Sequence, residues 1–183
     1  KAAYSVFDVE EMAQVEQGVA SIASQLGGID ILINNAGVGD FGSFEEMPVE
    51  TWEKVMKVNL FGVYYVAKAT LPYLKQNKEG DIVNVASTAG LKGAPNMSAY
   101  CASKAAVISL SQSLMAELRK FNIRVITLTP STIATDMSIE GKLTDGNPEK
   151  VLQPEDFAEW VRDILKMNRR AMIASASIFS TNP

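Results

Sequence analysis

A tyrosine and a lysine one helical turn apart are the residues in this sequence best suited to chemistry. Tyr100 and Lys104 lie four positions apart in a stretch of small residues that predicts a helix. Residues i and i+4 share a helix face, so the phenol and the ammonium can form an acid/base unit. The cation is expected to lower the pKa of Tyr100 from its free value of about 10, which would suit proton exchange in a carbonyl/alcohol interconversion.

A serine stands before this pair, at the end of a predicted strand. The apolar run over 81–87 predicts a buried strand with Ser87 at its carboxyl end. In open α/β sheets, ligands bind at the carboxyl ends of the strands. A Tyr-x-x-x-Lys pair or a serine after a strand is common by chance, so the rest of the chain must decide whether these residues form a site.

Three further segments place polar residues or glycine next to apolar elements. A short strand over 29–33 leads into the motif Asn34-Asn35-Ala36-Gly37. Asn59 interrupts an otherwise apolar helix. A third strand, over 123–128, is broken by Pro130 into a polar loop. All three segments fit the same site as Ser87.

These motifs, in this order and spacing, resemble the short-chain dehydrogenase/reductase family from Asp8 to the C-terminus. The resemblance implies a Rossmann-like, doubly wound parallel sheet with helices on both faces. It also implies an NAD(P)-dependent oxidoreductase that interconverts a ketone and a secondary alcohol, with NADP slightly favoured. Within the family, the nearest likeness is to reductases of 3-oxoacyl thioesters, which act in fatty acid biosynthesis.

The resemblance assigns roles to individual residues. The implied catalytic residues are Asn59, Ser87, Tyr100 and Lys104. The implied cofactor contacts are Asp8, Val9, Asn35, Ala36, Gly37, Tyr100, Lys104, Pro130, Ile133 and Thr135. Tyr100 would give a proton to the nascent alkoxide, and Ser87 would hold the carbonyl oxygen. Lys104 would bind the nicotinamide ribose, while Asn59 would kink its helix around a water. Asn34 is expected to be structural.

Two departures from the family pattern affect the cofactor site. Ser131 stands where the family usually has glycine, and we expect it to be tolerated. The chain also lacks the opening Gly-rich turn, so the first βαβ unit of the fold is missing. The strand expected over 4–8 would have no neighbour, and the strand over 29–33 would present a bare apolar edge. We therefore expect roughly fifty more N-terminal residues, with a Gly-rich turn, in the natural protein.

The composition is ordinary for one globular domain. We take residues 1–183 as a single Rossmann domain that is incomplete at its N-terminus. Of 183 residues, 47% are hydrophobic and 21% are charged. A net charge of −4 argues against nucleic acid as a partner. No apolar run is long enough for a membrane span and no signal peptide is evident, so a cytoplasmic location is expected. With no histidine and one cysteine, Cys101, no metal site is expected.

Strands and helices alternate along the chain, which predicts a mostly parallel sheet covered on both faces. The predicted strands span 4–8, 29–33, 81–87, 123–128 and 171–179. The predicted helices span 9–26, 48–76, 98–121 and 154–167. A polar loop is expected over 130–148, and its part from 138 to 148 is a candidate substrate lid.

Partners and alternatives stay open at this stage. We expect a homotetramer or homodimer paired through the helices over 48–76 and 98–121. The apolar residues taken to exceed the needs of one core face are Val63, Tyr64, Tyr65, Leu110 and Leu114. An acyl carrier protein is a possible partner, facing Lys78, Arg119, Lys120 and Arg124. The alternative functions are a sugar or polyol dehydrogenase of the same family and a non-catalytic dinucleotide-binding scaffold.

Overall fold

Four parallel strands form the centre of the protein. The computed structural model describes residues 2–181. Its strands are β1 (Ile31–Asn34), β2 (Gly80–Val85), β3 (Ile123–Pro130) and β4 (Ser175–Ile178), adjacent in the order β1-β2-β3-β4 and parallel throughout. All of β3 is buried, as expected for a strand covered on both faces.

Helices cover both faces of this sheet. The helices are α1 (Met12–Leu26), α2 (Val49–Met56), α3 (Val63–Gln76), α4 (Ser98–Leu118), α5 (Asp136–Glu140) and α6 (Pro154–Lys166). Consecutive residues of β2 point to opposite faces: Ile82 packs with Leu74 and Leu118 of α3 and α4, whereas Val83 packs with Ile164 of α6. The predicted doubly wound α/β fold is therefore confirmed.

The segment predicted as a strand over 4–8 is not a strand. No backbone pairing joins it to the sheet, and Tyr4 and Val6 are 86% and 90% exposed. A strand needs a neighbour for its N–H and C=O groups, and none lies beside this segment among the described residues. The prediction of a bare apolar edge is correct, because β1 lies at the edge of the sheet with Ile31 and Ile33 each 46% exposed.

Other differences from the predicted elements have local causes. Helix α1 begins at Met12 because a turn precedes it, in which the backbone N–H of Glu11 donates to the carbonyl of Asp8. The polar loop after β3 contains α5, which a capping box between Thr135 and Ser138 stabilises. Pro130 ends β3 within the sheet, pairing with Ile178, and does not break the strand before it.

The long helix predicted over 48–76 changes its winding in the middle. Between α2 and α3, residues Lys57–Gly62 form a π-helical segment with Asn59 completely buried in it. Such segments are rare and are frequent at functional sites. Val63, taken as an excess apolar residue, is in fact 5% exposed and part of the core, whereas Tyr64 and Phe61 are 41% and 46% exposed.

Candidate active site

A cleft of about 670 Å³ opens at the carboxyl ends of the strands. Ser87, Tyr100 and Lys104 all line it, as do Asn35 and Gly37 from the loop after β1. The opposite side is lined by Pro130 at the end of β3 and by Ile133 and Thr135 in the loop that follows. Parallel strands bring these loops together because all their carboxyl ends meet at one edge of the sheet.

Tyr100 lies in the first turn of α4 against an aromatic neighbour. Its ring meets the ring of Phe41 edge to face, with centroids 5.8 Å apart. Burial raises the pKa of Tyr100, and a hydrogen bond with the side chain of Ser87 acts in the opposite direction. The expectation that Lys104 lowers this pKa is therefore wrong for this structure, because loss of hydration outweighs the favourable contacts of the phenolate.

Lys104 is 5% exposed and its ammonium is held by the backbone of β2. Its Nζ donates to the carbonyl of Val85 at 2.9 Å and lies 5.6 Å from the centroid of the Tyr100 ring. Burial lowers the pKa of Lys104 to about 8. The side chain thus remains mostly protonated at neutral pH but loses its charge under mildly basic conditions.

Ser87 follows β2 and begins a short 3₁₀ turn, Thr88–Gly90. Its Oγ accepts from the backbone N–H of Ala89 at 3.2 Å, and its carbonyl accepts from the N–H of Gly90 at 3.0 Å. These two contacts fix the serine while leaving its own O–H to donate elsewhere.

Asn59 does not line the cleft but holds a loop that does. Its Oδ1 accepts from the N–H of Val38 at 2.8 Å, and its Nδ2 donates to the carbonyl of Val38 at 2.9 Å. The same Nδ2 donates to Oγ of Ser103 at 3.0 Å, and Ser103 donates to the carbonyl of Tyr100 at 2.8 Å. Asn59 therefore ties the loop after Gly37 to the helix that carries Tyr100.

The remaining predicted cofactor residues divide between two places. Val9, Asn35 and Ala36 line a smaller cavity of about 180 Å³, which shares Asn35 with the main cleft. Asp8 lines neither, is exposed, and accepts from the N–H of Glu10 at 2.9 Å as a turn residue. Every other predicted cofactor residue lines the main cleft or the smaller cavity, and Asp8 lines neither of them.

Ser131 fits the backbone at the position where glycine was expected. The side-chain-bearing residues with positive φ in the described range are Lys78, Asn96, Asn122 and Lys142, so Ser131 is not among them. Its N–H donates to the carbonyl of Ile178 at 2.9 Å, as a regular extension of the sheet. Serine is therefore accommodated here without backbone strain.

Asn34, predicted to be structural, begins a chain of buried polar side chains whose other members, Asn84 and Ser111, were not predicted. Asn34 donates to Asn84, Asn84 donates to Ser111, and Ser111 donates to the carbonyl of Val107, each within 2.7–2.8 Å. Asn84 is fully buried and directly precedes Val85, the acceptor of Lys104. An amide inside an otherwise apolar strand was the available signal, because buried polar groups need partners.

Gly90 is a second residue that sequence reasoning missed. A Cβ on Gly90 would lie 2.7 and 2.8 Å from the carbonyl carbon and oxygen of Lys104, and 2.9 Å from the nitrogen of Ala105. The turn that carries Ser87 can therefore approach α4 closely only with glycine at this position. This contact sets how near Ser87 lies to Tyr100 and Lys104.

Comparisons with known proteins agree with this geometry. Residues 1–145 match the family model described as short chain dehydrogenase. The "Inactive 2-(S)-hydroxypropyl-CoM dehydrogenase 2" of Xanthobacter autotrophicus is 36% identical, covering 96% of this chain and 81% of the relative. The 3-oxoacyl-[acyl-carrier-protein] reductase FabG of Thermotoga maritima is 37% identical, covering 79% of this chain and 56% of the relative.

Solved structures give the same result. The closed form of serine dehydrogenase complexed with NADP+ superposes with a TM-score of 0.88 at 30% identity, covering 95% of this chain and 74% of that one. Levodione reductase superposes with a TM-score of 0.87 at 27% identity, covering 96% and 74%. The chain belongs to the short-chain dehydrogenase family, as its motifs predicted, and is an oxidoreductase acting on CH–OH groups.

Proposed function

We propose that this protein interconverts a ketone and a secondary alcohol with a nicotinamide dinucleotide, NADP in preference to NAD. The observation that carries the proposal is the convergence of Ser87, Tyr100 and Lys104 on one cleft. Structural relatives support the cofactor, since serine dehydrogenase is described as complexed with NADP+ and the alcohol dehydrogenase of Thermococcus sibiricus with 5-hydroxy-NADP.

The cleft fits the nicotinamide and ribose of such a cofactor. A Cβ on Gly37 would lie 3.3 Å from Oδ1 of Asn59 and 3.6 Å from Nζ of Lys104, so the bare backbone leaves space beside the ammonium. Gly37 and Asn35 would hold one side, and Pro130, Ile133 and Thr135 the other. When bound, the cofactor supplies or accepts hydride.

The protein's own residues would handle the proton. Ser87 Oγ–H would donate to the carbonyl oxygen and hold it in place. Tyr100, kept protonated by its raised pKa, would give its proton to that oxygen as negative charge develops there. Lys104 would donate to the ribose hydroxyls, and Asn59 would keep the loop after Gly37 in register with α4.

A 3-oxoacyl thioester is the proposed substrate type. Apolar side chains line the cleft beside Tyr100, among them Phe41, Pro95, Met97 and Met137. An acyl chain suits these walls better than a polyol does, and a 3-oxoacyl reductase is among the relatives. A non-catalytic scaffold would need no such convergence of polar groups.

Assembly and a carrier partner are part of the same proposal. Phe61, just before α3, and Tyr64, in its first turn, leave apolar surface exposed, consistent with a homodimer or homotetramer that light scattering would detect. Of the cations considered for an acyl carrier protein, Arg124 is 5% exposed and cannot contact a partner, whereas Arg119 and Lys120 are exposed. None of the helices in the described part of the chain has the length and apolar character of a membrane span.

A turnover screen tests the proposal. The protein is given NADPH or NADH with three ketones: the N-acetylcysteamine thioester of 3-oxobutanoate, a cyclic diketone and a keto sugar. We expect cofactor oxidation with the thioester, faster with NADPH. Turnover of the sugar alone would favour the polyol dehydrogenase alternative, and no turnover of any ketone would contradict the proposed function.

A further inference from the structure

The charged side chains that line the cleft are all of one sign. Its lining residues include two lysines, Lys92 and Lys104, and no aspartate or glutamate. The protein as a whole has a net charge of −4, so this edge differs from the average surface. A cleft lined by one sign of charge raises the local concentration of ligands of the opposite sign.

Only one of the two lysines is available to a substrate's outer end. Lys104 is buried and already donates to the carbonyl of Val85. Lys92 is exposed at the cleft, and within residues 2–181 its side chain has no hydrogen bond or ion pair. Its ammonium therefore keeps all three donors free.

The position of Lys92 along the chain keeps it near the reacting carbonyl. It follows Ser87 by five residues, which limits the separation of the two Cα atoms to about 18 Å even for extended chain. The 3₁₀ turn Thr88–Gly90 shortens that distance further. Between Lys92 and Tyr100 the rim of the cleft is apolar, with Ala94, Pro95 and Met97.

From this arrangement we infer that Lys92 determines substrate specificity by binding an anionic group on the ketone substrate. The substrate would present its carbonyl to Ser87 and Tyr100, an apolar middle to the rim, and an anion to Lys92. The anion could be a carboxylate on a short oxo acid or a phosphate on the carrier arm of a thioester. This inference rests on the proposed function, which supplies the ketone.

Matched substrates separate the two sources of the anion. One pair is 4-oxopentanoate and its methyl ester, and the other is 3-oxobutanoyl-CoA and the neutral N-acetylcysteamine thioester. The variants are Lys92→Gln and Lys92→Glu, with Lys166→Gln as the control because Lys166 is exposed at the end of α6 and lies outside the cleft. The readouts are KM and kcat for each ketone and KM for the cofactor.

We expect Lys92→Gln to raise KM for the anionic member of one pair about three- to tenfold, as for loss of one charge-assisted contact, and Lys92→Glu to raise it more. All kcat values should stay within about twofold, because the contact is equally strong in the ground and transition states. KM for the neutral members and for the cofactor should also stay within about twofold, because neither places an anion against Lys92. The pair that responds identifies the anion as carboxylate or phosphate.

Three results would overturn the inference. These are equal effects on the charged and neutral members, a rise confined to the cofactor KM, and the same effect from Lys166→Gln. If the wild type turns over no ketone, the proposed function has failed, and calorimetric binding of the same pairs tests Lys92 by itself. In that case, equal affinity of the wild type for both members of each pair would refute it.

Discussion

Tyr100 and Lys104 differ in how their protonation changes with pH. The raised pKa of Tyr100 keeps the phenol protonated throughout the neutral range, which suits an acid in ketone reduction. Lys104, whose pKa is lowered to about 8, loses its charge first as the pH rises. If the ammonium must be charged to hold the ribose, Lys104 sets the basic limit of activity.

We therefore expect kcat/KM for reduction to be level near neutral pH and to fall as the pH rises through about 8. The measurement is a pH profile with a ketone that has no ionisable group, so that only the protein and cofactor titrate. A profile that stays level to about pH 9.5, well above the pKa of Lys104, would show that its charge is not required.

At the scale of elements, the contact between the Ser87 turn and α4 determines the geometry of the site. Gly90 lies under the backbone of Lys104 and Ala105, where no Cβ fits without movement. Backbone atoms cannot rotate away as a flexible side chain can. An added methyl group must therefore push the turn and the helix apart and move Ser87 relative to Tyr100.

Gly90→Ala is expected to lower the free energy of unfolding by about 1–3 kcal/mol, as overpacking does, and to lower kcat at least about tenfold. The matched control is Gly42→Ala, because a Cβ on Gly42 would meet nothing within 4 Å. Urea unfolding and steady-state kinetics measure both effects. A Gly90→Ala protein with wild-type kcat would show that the contact does not position the site.

The elements predicted best from sequence are those whose buried residues form a clear apolar run or a helical repeat. The apolar runs of β2 and β3 and the periodic helix α6 were found within a few residues of their observed bounds. The π-helical winding at Asn59 could not be located as such, because it depends on contacts with Val38 and Ser103 that are distant in sequence. The tight approach of Gly90 to α4 is likewise a tertiary property.

Two predictions made from local sequence are wrong. Residues 4–8 are rich in residue types that favour strands, Tyr4, Val6 and Phe7, but a strand exists only with a paired neighbour. The cation beside Tyr100 predicted a lowered pKa, whereas burial of the phenol has the larger effect. Both errors arise because local sequence does not report hydration or pairing.

At the scale of the whole molecule, the sheet has a charged end opposite its cleft. Arg124 forms a bidentate ion pair with Asp81, and both side chains are 6% exposed. Arg169 adds a contact to Asp81 at 3.2 Å and donates to the backbone of Gly80 and Asn122. These contacts join β2, β3 and the chain after α6 at the amino ends of the strands.

Asp81→Asn is expected to lower the free energy of unfolding by about 3–5 kcal/mol, because it leaves a buried guanidinium without its counter-charge. Glu159→Gln, which removes an exposed partner of Arg162, should cost about 0–1 kcal/mol. Urea unfolding compares them. Because the cluster lies at the opposite end of the strands from the cleft, kcat should not change, and an equal small loss in both variants would contradict this account.

The central claim is that Tyr100 protonates the substrate oxygen. The most direct test is turnover of the best ketone by Tyr100→Phe, with Tyr73→Phe as a control on α3 outside the cleft. We predict an unchanged fold and cofactor affinity with kcat reduced about 10²–10⁴-fold, the usual contribution of general acid catalysis. Turnover by Tyr100→Phe at the rate of the wild type would contradict the claim.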